Sequence, residues 1–148
     1  MKGVYQTNVS DGEESNCCAA AVATLFDLAL VDVPPLLGDF EQASNLIRFF
    51  HSRGYRHAMF VGQRGKGPTL QECAEYDGGV EGYFYAAVPS KTFKGGSHAV
   101  IVDTALKVVW DPNPNQLALS TLPEEVTGIW VIGGWFINPA GEFYWLDE

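Results

Sequence analysis

The stretch Ser15-Asn16-Cys17-Cys18-Ala19-Ala20-Ala21-Val22-Ala23-Thr24-Leu25-Phe26-Asp27-Leu28 decides how this chain folds. Ser15 or Asn16 is placed to act as an N-cap, since either side chain can accept from the orphan N–H groups of a first helical turn. From Cys17 to Leu28 there is neither Gly nor Pro, and small side chains sit on several faces. A helix of that composition lets other elements approach closely, so it is expected as a buried central helix. Pro34-Pro35 ensures that it has ended.

Downstream, Asp39 to Arg53 reads as a second helix whose apolar face carries Leu46, Ile47, Phe49 and Phe50, with Gly54 as the stop. Thr69-Leu70-Gln71-Glu72 has capping-box spacing and predicts a short helix at about 70–77. Tyr55–Val61 reads as a strand, and residues 1–7 as a short one. The second half changes character: Tyr83–Val88, His98–Asp103, Lys107–Asp111, Ile129–Ile137 and Glu142–Leu146 are β-branched or aromatic runs between turns. Helices first and strands later predict an α+β class, with a helical part at about 15–78 packed on an antiparallel sheet at about 83–146. Residues 8–15 read as a polar loop.

The 148 residues suit one domain with a core of its own, and 47% apolar against 18% charged residues excludes disorder by composition. A net charge of −9 repels phosphate backbones and anionic lipid, which argues against nucleic-acid and membrane partners. Three cysteines, two of them adjacent, make no disulfide framework. The first residues lack the apolar run of a signal peptide, and no run approaches the length of a membrane span. A reducing compartment is therefore expected. No cluster of His, Cys or carboxylates has metal-ligand spacing, so no metal or cofactor is expected.

Three residues combine into a possible chemistry. Cys17 sits at or near the first helical position, where free N–H groups and the helix dipole favour the thiolate, the form that attacks a carbonyl. Cys18 lies about 100° further round and cannot share its cleft. His98 follows the Gly-Gly turn of Lys94-Gly95-Gly96-Ser97 at the start of a strand. A hairpin turn centred between Thr104 and Ala105 would set His98 directly opposite Asp111, on the same face of the sheet. Cysteine as nucleophile, histidine as proton carrier and acid as orienting group form a Cys-His-Asp set in chain order. Cys73, His51 and His57 carry no comparable argument. Cys73 reads as packing, His51 as a residue at a helix C-terminus, and His57 has no acid partner. Gly62-Gln63-Arg64-Gly65-Lys66-Gly67 lacks the phosphate-loop pattern. Trp110, Trp130 and Trp135 read as core or groove lining.

The pieces Gln6-Thr7, Ser15 to Leu28, Val31-Asp32-Val33-Pro34, Gly96-Ser97-His98-Ala99-Val100-Ile101-Val102 and Val109-Trp110-Asp111-Pro112-Asn113-Pro114 together carry a resemblance. The chain resembles small papain-like cysteine peptidase-like proteins of bacteria and their phages. These are related to the domains that trim bacteriocin leader peptides after a double glycine. The match runs in order over about residues 4–137. It implies a papain-like fold, with Cys17 as nucleophile, His98 as general base and acid, and Asp111 as the orienting residue. Gln6 would be the amide that helps hold the oxyanion beside the Cys17 N–H. The interval from Gln6 to Cys17 is longer than usual for papain-like enzymes, and Asn16 precedes the cysteine where leader peptidases have Asp.

Gly95, Gly96 and Asn16 are assigned to the substrate cleft. The activity implied is a thiol peptidase or amidase acting on a peptide or protein substrate in the cytoplasm of a bacterial or phage-infected cell. The alternative is a non-catalytic phage or bacterial protein that keeps the scaffold for protein or ligand binding, virion-associated or acting against host defence. The oligomeric state is left open.

Overall fold

The computed structural model describes residues 1–9, 15–34, 39–55, 58–62, 69–77, 79–132, 135–137 and 143–145. His57, the 63–67 part of the glycine-rich loop, residues 10–14 and the side chains of Cys73 and Trp135 lie outside the described residues. The elements in chain order are α1 (Cys17–Leu25), α2 (Asp39–Ser52), β1 (Ala58–Gly62), α3 (Leu70–Asp77), β2 (Phe84–Pro89), β3 (Ser97–Val102), β4 (Val108–Trp110), β5 (Gly128–Ile132), β6 (Trp135–Ile137) and β7 (Phe143–Trp145). This is the α+β mixture of helices and antiparallel sheet that the sequence predicts. No helix among the described residues is long and apolar enough to cross a membrane.

Helix ends follow local chemistry. Thr69 Oγ1 accepts from the Glu72 N–H at 3.1 Å while Glu72 Oε2 accepts from the Thr69 N–H at 3.0 Å, which completes the expected capping box of α3. Gly54, at φ +92°, closes α2, and the Tyr55 N–H reaches back to the Phe50 carbonyl at 3.0 Å. The first helix is shorter than its apolar pattern predicts. Asp27 adopts φ +53° and the Leu28 N–H bonds the Ala23 carbonyl at 2.8 Å, a left-handed stop that ends α1 at Leu25.

The main sheet has five strands in the order β1-β5-β2-β3-β4, every neighbouring pair antiparallel, and β6 pairs with β7 in a separate ribbon. The run Ile129–Ile137, read as one strand, is therefore two that join different sheets. β1, from the helical half of the chain, is an edge strand of the main sheet, so helices and strands are not cleanly divided along the sequence.

Alternate residues of the central strands feed two cores. Tyr85, Ala99, Ile101 and Trp130 pack with α1 and α2 through Ala21, Val22, Leu46, Phe49 and Phe50. Phe84, Ala86, Val88, Val100, Val102 and Ile129 pack with Leu70 and Ala74 of α3 and with Leu106, Ala118 and Val126. Burial on both faces explains why β3 reads as an unbroken apolar run after His98.

Two expectations about the edges of this frame are corrected. Residues 1–7 form no strand, because other groups take their backbone. The Lys2 N–H donates to Asp27 Oδ1 at 2.8 Å, the Val4 N–H to Thr24 Oγ1 at 2.9 Å, and the Val4 carbonyl accepts from Trp110 Nε1 at 3.1 Å. The β3–β4 register also differs: Val102 faces Val108 and Ile101 faces Trp110, so His98 and Asp111 are not opposed. Leu106 adopts φ +60° in the turn, and a bulge between Ile101 and Val102 inserts a further residue, shifting β4 by two positions from the simple hairpin.

Phe50 is fully buried, with ring centroids 5.4 Å from Phe26 and 6.2 Å from both Phe49 and Trp130. Its truncation removes the fully buried aromatic ring that α2 packs against Trp130 of the sheet. Phe50→Ala is expected to cost about 3–5 kcal/mol, read as a lowered midpoint in urea unfolding. A loss below about 1 kcal/mol would mean that this core is not formed as described.

Candidate active site

The site starts at the N-terminus of α1. Asn16 occupies the N-cap position but makes no side-chain capping bond. Its Oδ1 accepts instead from the Thr7 and Asn8 N–H groups at 3.1 and 2.9 Å, and its Nδ2 donates to Thr7 Oγ1 at 2.8 Å. The expected cap is thus a clamp on the N-terminal segment. No acidic residue stands in the first turn. The positive end of the helix is left facing Cys17, which is half-buried.

His98 is the second residue of β3 and enters from the β2–β3 turn. That turn is built on Ser90, whose Oγ accepts from the Thr92 and Phe93 N–H groups and whose N–H bonds the Gly96 carbonyl. Gly95 adopts φ +79°, with nothing near the position a Cβ would take. Gly95 and Gly96 therefore form the turn that leads into His98, with Gly95 on its open side.

Asp111 lies just past β4 and is almost fully buried, at 1% exposure. Its carboxylate accepts three hydrogen bonds. Oδ1 takes one from His98 Nε2 at 2.6 Å and one from the Asn113 N–H at 2.8 Å, while Oδ2 takes one from the Ala118 N–H at 2.9 Å. The segment Asp111-Pro112-Asn113-Pro114-Asn115 makes this possible. Asn113 Oδ1 accepts from the Asn115 N–H and Asn115 Oδ1 from the Leu117 N–H, both at 3.1 Å, so the same side-chain turn repeats every second residue. The two loops are tied together because Thr92 Oγ1 accepts from the Asn113 and Asn115 amides.

With Nε2 held by Asp111, Nδ1 is the His98 nitrogen left for the Cys17 sulfur. This reverses the ring of the serine-protease triad, in which Nδ1 faces the acid. Burial pushes the Cys17 thiol up. The hydrogen bond with His98, the Ala99 N–H, the His98 charge and the Ser15 hydroxyl outweigh it and hold the thiol below its ordinary value. Burial alone would lower His98, but its bonds to Asp111 and Cys17 and their charges raise it to about 9. Burial would raise Asp111, yet the His98 bond and the Asn113 and Ala118 N–H groups hold it below the usual carboxylate range. All three shifts run in the direction of a thiolate–imidazolium pair backed by a carboxylate.

Gln6 is buried and joins this site indirectly. Its N–H bonds the Pro112 carbonyl at 2.9 Å, and its Nε2 donates to the Asn8 carbonyl at 2.9 Å and to Ser15 Oγ at 3.4 Å. Its Oε1 is buried with no hydrogen-bond partner among the described residues. Of the residues singled out in the sequence, Cys17, His98 and Asp111 come together directly. Gln6 reaches them through Ser15, and Asn16 holds the chain beside them. The sequence reading gives Ser15, Asn113 and the Ala99 and Ala118 N–H groups no part in the site's hydrogen bonding. The alternation of Asp and Asn with Pro at 111–115 is the signal that could have pointed to Asn113. Elsewhere, His51 is exposed in the last turn of α2 and Trp130 lies in the core. Trp110 packs against Tyr5 with ring centroids 4.9 Å apart and the planes tilted by 51°. Among the described residues no group of three or more His, Cys, Asp or Glu could hold a metal ion.

The His98 ring, followed by NMR, is expected to titrate near pH 9. Asp111→Asn and Cys17→Ala should each lower that midpoint, since each removes a partner that favours the imidazolium. A wild-type midpoint at the ordinary value would contradict the ion pair. Comparison of the chain with models of protein families, with curated proteins and with solved structures gives no match, so the functional reading rests on this geometry and on the sequence.

Proposed function

We propose that this protein is a cysteine hydrolase of papain-like fold that cleaves a peptide, isopeptide or related amide bond through a thioester. One observation carries the reading: a Cys17 thiol at the start of a helix meets a His98 ring whose far nitrogen is held at 2.6 Å by a buried carboxylate. A lone buried cysteine needs no such partners, and the three come from distant parts of the chain.

In the proposed reaction the Cys17 thiolate attacks the carbonyl carbon and its charge passes to the carbonyl oxygen. The Cys17 N–H, at a helix end that Asn16 leaves uncapped, is the backbone donor for that oxygen. The tetrahedral species collapses as His98 gives its Nδ1 proton to the leaving amine, leaving a thioester and a neutral imidazole. The imidazole then takes a proton from water, and the hydroxide formed attacks the thioester. Collapse of the second tetrahedral species releases the carboxylic acid and returns Cys17 as thiolate beside a protonated His98. Asp111 keeps the ring in one orientation and stays ionised throughout. Transfer of the acyl group to an amine would use the same groups with the amine in place of water.

An electrophilic peptide probe is expected to label Cys17 selectively, as located by mass spectrometry. An ordinary thiol is only about 1% thiolate at pH about 6.5, so loss of the pair by His98→Ala should slow labelling at that pH by up to about 100-fold. Turnover of a peptide amide should fall as pH rises through about 9, where His98 loses the proton it must deliver. Labelling that ignores His98, with the rate of a buried thiol, would refute the reading.

A further inference from the structure

The resemblance assigns the side-chain donor of the site to Gln6, yet the Gln6 amide nitrogen is already engaged. It donates to the Asn8 carbonyl at 2.9 Å, and its remaining hydrogen is directed to Ser15 Oγ at 3.4 Å. The Asn8 carbonyl is itself fixed, because Asn16 binds the Thr7 and Asn8 N–H groups. Gln6 is also anchored through its backbone to Pro112, next to Asp111. The acceptor of that second hydrogen is the half-buried Ser15, two residues before Cys17, and its hydroxyl is also a hydrogen-bond partner of the Cys17 thiol.

We infer that Ser15 is the side-chain hydrogen-bond donor to the Cys17 sulfur, and that Gln6 is a positioning residue that acts on the sulfur only through Ser15. The Ser15 oxygen accepts from Gln6 Nε2, which orients its own hydrogen away from the amide and toward the sulfur. A hydroxyl polarised in this way is a better donor, since the two bonds reinforce one another. It favours the thiolate over the thiol, in line with the lowering that Ser15 exerts on Cys17. Among the described residues, the charged groups facing the sulfur are His98 from β3 and, behind its ring, Asp111. α1 carries no acidic residue in its first turn and no basic residue in its last. The hydroxyl is therefore a contribution separate from the imidazolium.

This inference rests on the thiolate–imidazolium reading of the site, and one experiment separates the two. Alkylation of Cys17 by iodoacetamide is followed against pH in the full chain, with folding of each variant checked by circular dichroism. Ser15→Ala should move the midpoint upward by about one pH unit, as loss of a hydrogen bond to a charged group does. Ser15→Thr, which keeps the hydroxyl, should restore the wild-type midpoint. Gln6→Met, which keeps the bulk of the side chain and removes the amide, should raise the midpoint alone but add nothing on the Ser15→Ala background. A low wild-type midpoint that Ser15→Ala leaves unmoved overturns the role of Ser15 while the Cys17–His98 pair stands. Additive shifts from Ser15→Ala and Gln6→Met overturn the relay, since Gln6 would then act by another route. A wild-type midpoint at the value of a free thiol overturns the pair itself, and the inference with it.

Discussion

The site is organised around one buried charge. A carboxylate at 1% exposure is strongly destabilised unless both of its oxygens find donors in place of water. Asp111 meets that demand with one imidazole nitrogen and two backbone N–H groups, from Asn113 and Ala118. The two backbone donors come from its own downstream loop, so the acid shapes the segment that follows it. The remaining donor is His98, which the carboxylate fixes in orientation and holds in the protonated form. The raised His98 in turn favours the Cys17 thiolate, so the state of the sulfur depends on how completely the acid is satisfied.

The N-terminal segment supplies a second constraint. Without a strand partner, residues 2–6 are held by side chains of α1, its C-terminal turn and β4. Thr24 is buried within α1, donates to the Ala20 carbonyl at 2.8 Å and accepts from the Val4 N–H. It thereby links the far end of the helix to the strand-like approach that brings Gln6 beside Ser15. Asn16 completes the closure at the near end. A helix loses about 1 kcal/mol when its N-cap bond is absent, and Asn16 makes no such bond. What the fold gains is a fixed N-terminal segment and a first turn whose N–H groups no capping side chain covers.

The elements with local chemical causes were legible in the sequence. Thr69 and Glu72 announce α3 because a capping box is a four-residue property, and Gly54 announces the end of α2 because a left-handed residue is needed there. The end of α1 was hidden, since Asp27 takes the left-handed stop that glycine usually marks. The β3–β4 register failed for the same reason: Leu106 takes a left-handed turn position with a side chain that gives no warning of it. Cys17, His98 and Asp111 were legible as residue types in order, although the hairpin argument that paired the last two was wrong. They meet because Asp111 has already left the strand and is steered by its Asx turn, not by cross-strand pairing. Ser15 was read as a possible cap because its contact with Gln6 spans residues that no local pattern relates.

The charge balance of the site explains why it needs both a helix end and a strand. In the proposed ion-pair state, thiolate, imidazolium and carboxylate together carry one net negative charge, in a chain whose overall charge is already −9. Among the described residues that favour the thiolate, His98 is the only cation, and the others are dipoles: the Ala99 N–H and the Ser15 hydroxyl. The carboxylate likewise relies on two N–H dipoles beyond the shared imidazolium. Dipoles fixed by the backbone stabilise an anion without adding a second cation that would compete with His98 for Asp111 or lower the His98 pKa. The first turn of α1 belongs to this set, since it carries no acidic residue of its own and begins at Cys17. In the proposed reaction such a site would keep its anion reactive, because the sulfur is held by several weak donors and one ring that must give up its proton.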